Sequence, residues 1–136
     1  AENLTRELGA YQGDPYGELG FLDSILFRAV RLVVDTGIHY KRWTRERAIA
    51  YMEEHSAQAA ESIVSEIERY FVMPGQACAY KIGEIKVLEL RAKAQDEMGD
   101  RFDLRAFHDV VLKNGAMPLT ILEQVIEEYI QTGNAD

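Results

Sequence analysis

The most constraining feature of this sequence is an apolar run between positions 21 and 34 that contains embedded charges. Its apolar residues fall on nearly every side of a helical cylinder, so the run predicts a buried helix. Yet Arg28, Arg31 and Asp35 fall on one side of that helix. Buried charges are costly unless they are paired or hydrogen-bonded. The polar stripe is therefore either a structural ion network or one wall of a cleft.

The remaining segments also show helical spacing, and none alternates apolar and polar residues as a half-buried strand does. Asp14-Pro15, Thr44 and Asp103 predict helix starts, because short polar side chains cap the first turn and proline suits it. The chain is predicted to be all-α, an irregular bundle of about six or seven helices. The predicted helices cover residues 1–9, about 15–36, 45–55, 57–71, about 74–98, a segment from 103 to before 115, and one from about 118 to before a frayed tail at 133–136.

Three boundaries in this prediction depend on single residues. Gly37 is expected to end the buried helix, and Ser56 is expected to cap the helix that begins at Ala57. Pro74 is expected to lie in the first turn of the helix that runs to about Met98. On that helix, one apolar stripe contains Ile82, Ile85, Leu88 and Ala92, and a second contains Val87, Leu90 and Ala94.

Composition excludes several classes of function. A chain of 136 residues suits one domain, and its net charge of −8 disfavours binding to nucleic acid or to an anionic membrane. No apolar run approaches the roughly 20 residues of a membrane span. The one cysteine, Cys78, allows neither an internal disulfide nor a cysteine-based zinc site. The compartment stays open between cytoplasm and cell envelope.

His39 is the first candidate site residue. It follows the glycine at 37 and lies close to the polar stripe, where Asp35 could orient its ring. Imidazole is the usual acid, base or hydrogen-bond donor near neutral pH. The alternative is a loop histidine that bonds the end of the helix.

Gln76 and Tyr80 are the second candidate, one helical turn apart among small residues at the start of the predicted helix. A tyrosine hydroxyl in such a place can donate to a developing oxyanion. The alternative is a tyrosine packed between helices with its hydroxyl satisfied. None of the three histidines, His39, His55 and His108, belongs to a His-Glu-x-x-His arrangement, so no metal ligands are predicted in this chain.

Several motifs together resemble the bacterial domain-of-unknown-function family numbered 885. They are residues 28–39, 43–52, Arg69-Tyr70, 74–83, 102–109 and Pro118-Leu119, and the likeness covers essentially the whole chain. The family is similar to the helical zinc metallopeptidases. The resemblance implies that this chain is a C-terminal region whose zinc ligands lie upstream, with the third ligand just before Ala1-Glu2.

The resemblance also implies roles for residues of this chain. Tyr80 would donate to the oxyanion of the tetrahedral intermediate, and His39 would assist or bind the substrate backbone. Arg28, Arg31 or Arg69 would pair with a substrate carboxylate, a group that guanidinium binds in bidentate fashion. Gln76 would contact the substrate beside Tyr80.

The function expected from this likeness is the substrate-cleft region of a zinc-dependent peptidase, inactive alone. Zinc is expected in the full-length protein, and the expected partners are the upstream zinc-binding part and a peptide substrate. A fragment cut from a larger fold could also expose an apolar face and self-associate. The rival hypotheses are a non-catalytic helical scaffold and, third, a module that binds small acidic ligands through its arginine stripe.

Overall fold

The computed structural model describes residues 2–133 and shows only helical elements among them. The prediction of an all-α chain with six or seven helices is confirmed for this range. Its contacts divide the chain into two compact units, residues 1–81 and 82–136. The helices are α1 (Glu2–Glu7), α2 (Pro15–His39), α3 (Arg45–His55), α4 (Ala60–Val72), α5 (Ala79–Met98), a 3-10 turn (Gly99–Arg101), α6 (Leu104–Lys113) and α7 (Leu119–Thr132).

Three helix starts are confirmed by the capping bonds that the sequence predicts. The Asp14 carboxylate accepts from the Gly17 amide at 2.9 Å, and the Thr44 hydroxyl accepts from the Arg47 amide at 3.2 Å. Asp103 accepts from two amides of the first turn of α6 at 2.7 and 2.9 Å. Each bond satisfies an amide that the helix itself leaves without a partner.

The prediction that α2 stops at Gly37 is wrong, because the helix continues through that glycine to His39. A Cβ atom at Gly37 would lie 2.5 Å from the indole ring of Trp43. The Trp43 amide also donates to the Gly37 carbonyl at 3.0 Å. The glycine therefore permits close approach of a tryptophan to the helix backbone, and it does not end the helix.

Ser56 does not cap α4, contrary to the prediction. It ends α3, and its hydroxyl donates to the Met52 carbonyl at 2.8 Å. Helix α4 begins only at Ala60, with no side-chain hydrogen bond at its N-terminus. The serine thus satisfies a carbonyl of the helix before it.

The prediction that a helix starts at Pro74 is also wrong. Residues 74–78 form turns, and α5 begins at Ala79. Gly75 has a φ of +81°, a left-handed conformation that interrupts a right-handed helix and that favours glycine. Gln76 consequently lies on a turn, and Tyr80 alone lies in the first turn of α5.

The core of the first unit joins α2, α3, α4 and the turn before α5. Arg31 and Asp35 are the two charged side chains buried beside it among the described residues. The expectation that α2 is buried on nearly every side is wrong, since Leu19, Leu22 and Leu26 are exposed. The buried apolar residues are Val30, Val34, Ile38, Ala48, Met52, Ile63, Ile67, Tyr70 and Ala77.

The second unit has its own core, built by the later part of α5 with α6 and α7. On α5 the second predicted stripe is the buried one: Leu90 and Ala94 are in the core, while Ile82 and Ile85 are exposed. Gly133 closes α7 with a φ of +72°. The predicted frayed tail extends to residues 134–136, outside the described range. The core residues are Leu90, Ala94, Met98, Phe107, Val110, Leu122, Ile126, Tyr129 and Ile130.

Candidate functional site

Arg31 is the centre of a polar cluster inside the first unit. Its side chain is 9% exposed, and its Nη2 donates to Gln76 Oε1 at 3.2 Å. The guanidinium lies 4.8 Å from the centre of the Tyr80 ring and 5.6 Å from that of Tyr70. Its Nε has no hydrogen-bond partner and is 3.8 Å from a Glu66 oxygen. Stacking on aromatic faces suits a weakly hydrated, planar cation in this setting.

Glu66 supplies the negative charge of this cluster. It accepts from the Tyr70 hydroxyl at 2.6 Å and from Arg69 Nη2 at 2.5 Å to each oxygen. Burial alone would raise the pKa of Glu66. The bonds from Tyr70 and Arg69, with the charges of Arg69 and Arg31, outweigh burial and hold that pKa below its usual value. The carboxylate is therefore ionised at neutral pH.

The pKa values of Tyr70 and Arg69 are raised, whereas that of Glu66 is lowered. Burial and the bond to Glu66 raise the pKa of the Tyr70 phenol, and the bond to Glu66 raises the pKa of Arg69. Both side chains thus keep their protons and act as donors at neutral pH. Arg69, a predicted substrate-binding residue, is committed here to Glu66.

Asp35 anchors the turn that precedes α5. Both carboxylate oxygens accept from the Gly75 amide at 3.1 Å. Burial, reinforced by the Asp35 charge and a hydrogen bond to it, raises the pKa of the Cys78 thiol to about 11. The sequence suggested that Asp35 orients His39, whereas these bonds show it holding the turn that carries Gln76.

His39 lies at the exposed end of α2, and its Nε2 is 2.9 Å from the Tyr70 carbonyl oxygen. A carbonyl only accepts, so Nε2 carries the hydrogen of this bond. In the neutral ring, Nδ1 is then the acceptor. His39 thus joins α2 to α4 at the same residue, Tyr70, whose hydroxyl binds Glu66.

Tyr80 is also an exposed member of the cluster. The residue is 49% exposed, although one face of its ring lies against the buried Arg31. Gln76 is half-buried beside it and bonds the same guanidinium. The structure therefore brings together three of the candidate residues, Arg31, Gln76 and Tyr80. Gln76 and Tyr80 meet at the Arg31 guanidinium and do not share the helical turn that was predicted for them.

Arg28, the remaining predicted arginine, makes a different set of bonds. Its Nη1 donates to the Ser24 carbonyl at 2.8 Å and to the Ser24 hydroxyl, one turn earlier on α2. The bonds described here connect the three charges of the stripe to different groups. Arg31 bonds to α4 and the turn, Asp35 to the turn, and Arg28 to its own helix.

Two members of the cluster were missed by sequence analysis. Neither Tyr70, which appeared only in the Arg69-Tyr70 motif, nor Glu66 was selected as a candidate site residue. Their spacing carried a usable signal, because Glu66 lies four residues before Tyr70 and three before Arg69, on one helix face. A carboxylate on the same face as Ile63, Ile67 and Tyr70 requires partners.

No group of three or more His, Cys, Asp or Glu side chains that could hold a metal ion occurs between residues 2 and 133. The donors of the cluster are also unsuited to zinc, since Asp35 and Glu66 are occupied by amide, phenol and guanidinium hydrogens.

A family model described as "Bacterial protein of unknown function (DUF885)" matches residues 1–126. The match covers most of the chain. This chain belongs to the DUF885 family. The resemblance noted from the motifs is thus confirmed at the level of the family, whose description assigns no activity. A search of curated proteins finds no match to the chain.

One solved relative has the same fold. It is the crystal structure of a protein described as a "putative lipoprotein" from Colwellia psychrerythraea, 53% identical, with a TM-score of 0.92. The match covers 95% of this DUF885 chain and 22% of the Colwellia chain. The present chain thus spans about a fifth of the length of that relative. Within residues 2–133, no helix combines the length and the apolar character needed to cross a membrane.

Proposed function

We propose that this DUF885 chain forms the C-terminal, substrate-cleft region of a longer zinc-dependent peptidase and is inactive alone. Tyr80 is the residue that carries the proposal. Tyr80 is 49% exposed, and its ring rests on a buried guanidinium that Gln76 and Glu66 contact. A donor held in place before the reaction stabilises developing charge without reorganisation.

In this proposal the Tyr80 hydroxyl donates to the oxyanion of the tetrahedral intermediate. His39 contacts the substrate backbone through Nδ1, because Nε2 is bound to the Tyr70 carbonyl. Gln76 contacts the substrate through its amide nitrogen, because its oxygen accepts from Arg31. Arg28 and Arg69 are candidates for a substrate carboxylate, Arg69 through Nη1 because its Nη2 is bound to Glu66, and Arg31 and Asp35 position Tyr80 and its turn.

In this proposal the zinc ion would bind elsewhere in the longer polypeptide and not to residues of this chain. When bound there, it would activate water and polarise the scissile carbonyl. The residues of this chain would provide contacts to substrate and a donor to the oxyanion.

Sequencing the gene upstream of the Ala1 codon tests this proposal directly. An initiator codon immediately before Ala1 would remove the basis for catalysis.

The decisive experiment replaces Tyr80 by Phe in a longer DUF885 polypeptide that contains this chain. We expect kcat on peptide substrates to fall about 10²–10³-fold, as for loss of an oxyanion donor, with an unchanged Tm. Tyr40→Phe is the matched control, since Tyr40 is 86% exposed. Retained kcat in Tyr80→Phe would contradict the proposal.

A non-catalytic helical scaffold is the second candidate, and one observation favours it. Arg31, Asp35, Arg69 and His39 all bond to other groups of the first unit. On this view the cluster only joins α2, α4 and the turn. Tyr80→Phe would then lower Tm while leaving any activity per folded molecule unchanged.

A further inference from the structure

A groove with a volume of about 740 Å³ runs along α2 inside the first unit. Among its lining residues, Leu19, Leu22, Leu26 and Val33 are 63, 49, 48 and 39% exposed. Their spacing of three, four and seven residues places them on one stripe of the helix. A contiguous apolar stripe on a surface marks a binding site more often than isolated apolar residues do.

Acidic side chains lie along the rim of this groove. Asp23 of α2 and Glu54 at the end of α3 both line it. Asp23 accepts from the Gln58 amide at 3.2 Å, and a Glu54 oxygen is 3.9 Å from His55 Nδ1. An apolar floor with two carboxylates complements a segment that is apolar on one face and carries a cation.

The charge of the chain argues against a second copy as the occupant. The net charge is −8, and two copies would bring acidic rims together. The Colwellia relative indicates another source, because the matched region is 22% of its chain and the remainder belongs to the same polypeptide.

We propose that this groove is a docking surface for one amphipathic helix of the longer DUF885 polypeptide. The helix lies outside the region matched here, places apolar side chains on the leucines of α2, and carries a Lys or Arg that pairs with Glu54 or Asp23. The proposal does not depend on peptidase activity, since it concerns assembly of the polypeptide and not chemistry at Tyr80.

The test compares thiol labelling of Leu26→Cys in the 136-residue chain and in a longer DUF885 polypeptide. Maleimide modification, followed by mass spectrometry of the labelled peptide, is expected to be at least tenfold slower in the longer polypeptide. Leu112→Cys on α6, at a leucine 72% exposed, is the control and should keep its rate. Leu22→Cys replaces Leu26→Cys if that variant does not fold.

Equal rates at position 26 in the two proteins would overturn the proposal. So would equal slowing at positions 26 and 112, because the covering would not be specific to the groove. Protection that appears in the 136-residue chain as its concentration rises would overturn it in favour of a second copy.

The charge requirement has its own test on the Leu26→Cys background. Glu54→Lys in the longer polypeptide should raise the labelling rate several-fold by weakening the docked helix. Glu53→Lys is the matched control, because Glu53 is the exposed neighbour that does not line the groove. Unchanged rates in both Glu54→Lys and Asp23→Lys would contradict the charge requirement of the proposal.

Discussion

The guanidinium carbon of Arg31 lies 4.8 Å from the centre of the Tyr80 ring. This contact connects one of the most buried charges of the first unit to a tyrosine that is half-exposed. The cation is itself held by Gln76 and by the charge of Glu66. Tyr80 is therefore supported by residues from three separate parts of the chain.

Arg31→Met should lower the free energy of unfolding by about 2–3 kcal/mol. Loss of a buried partner costs about 3–5 kcal/mol, but Glu66 keeps its bonds from Arg69 and Tyr70. Denaturant unfolding measures the effect. Arg47→Met is the control, because exposed Arg47 lies 4.6 Å over Trp43 and its loss should cost less than about 1 kcal/mol. Equal losses of unfolding free energy in Arg31→Met and Arg47→Met would show that the buried contacts of Arg31 stabilise the fold no more than one exposed contact does.

Acid should destabilise the protein partly through Glu66. Its folded pKa lies below the usual value of 4.5, so the folded state binds fewer protons there than the unfolded state. This contribution is fully present above about pH 4.5 and is lost as pH falls through the folded pKa. Unfolding free energies measured between pH 7 and pH 3 should therefore decline less steeply in Glu66→Gln than in the parent.

Glu68→Gln provides the comparison for that measurement. Glu68 pairs with Arg45 at 2.6 Å at the surface, where an ion pair contributes at most about 1 kcal/mol. Asp103 adds a separate acid dependence, since backbone bonds from Ala106 and Arg105 lower its pKa. An unaltered acid slope in Glu66→Gln would contradict the assignment.

Gly37→Ala should destabilise the chain by up to about 2 kcal/mol. The new methyl group would overlap the Trp43 ring, and overpacking costs about 1–3 kcal/mol against a gain in helix propensity of about 1 kcal/mol. Gly20→Ala in the same helix has open space around it and should be neutral or stabilising by up to about 1 kcal/mol. Thermal unfolding of both variants checks the pair, and a stabilising Gly37→Ala would show that Trp43 moves aside freely.

The Cys78 thiol should react slowly in the native protein. It is 9% exposed and its pKa is raised to about 11, so little thiolate exists at pH 8. Because the pKa of the thiol is raised by folding, ionisation of the thiol favours the unfolded state. The contribution of the neutral thiol to the free energy of unfolding is fully present below about pH 9 and is lost as pH rises through 11. Labelling with a thiol-specific disulfide reagent at pH 8 should be slow natively and fast after denaturation. Comparable native and denatured rates would exclude this burial.

The helices whose starts depend on local chemistry could be predicted from the sequence. The caps at Asp14, Thr44 and Asp103 bond amides two or three residues away, so neighbouring sequence contains their whole cause. Gly37 and Gly75 differ. One accommodates Trp43 and the other bonds Asp35, contacts that depend on the folded chain.

Several residues of the candidate site could be selected from the sequence, but the contacts that join them could not. Arg31, Gln76 and Tyr80 were selected and do lie together. Glu66, which balances the charge, was missed because a glutamate on a helix is usually solvated. Its role depends on Arg31, which is 35 positions earlier in the chain.

The bond between Asp35 and the Gly75 amide has a consequence for sequence variation. A side-chain amide at position 35 would offer one accepting oxygen in place of two, and a side chain at position 75 would strain a backbone with φ of +81°. Either change would shift the turn that leads into Tyr80. Positions 35 and 75 should therefore vary together or remain unchanged wherever Tyr80 is retained, so a survey of DUF885 sequences can test whether the anchor and the tyrosine are inherited as one unit.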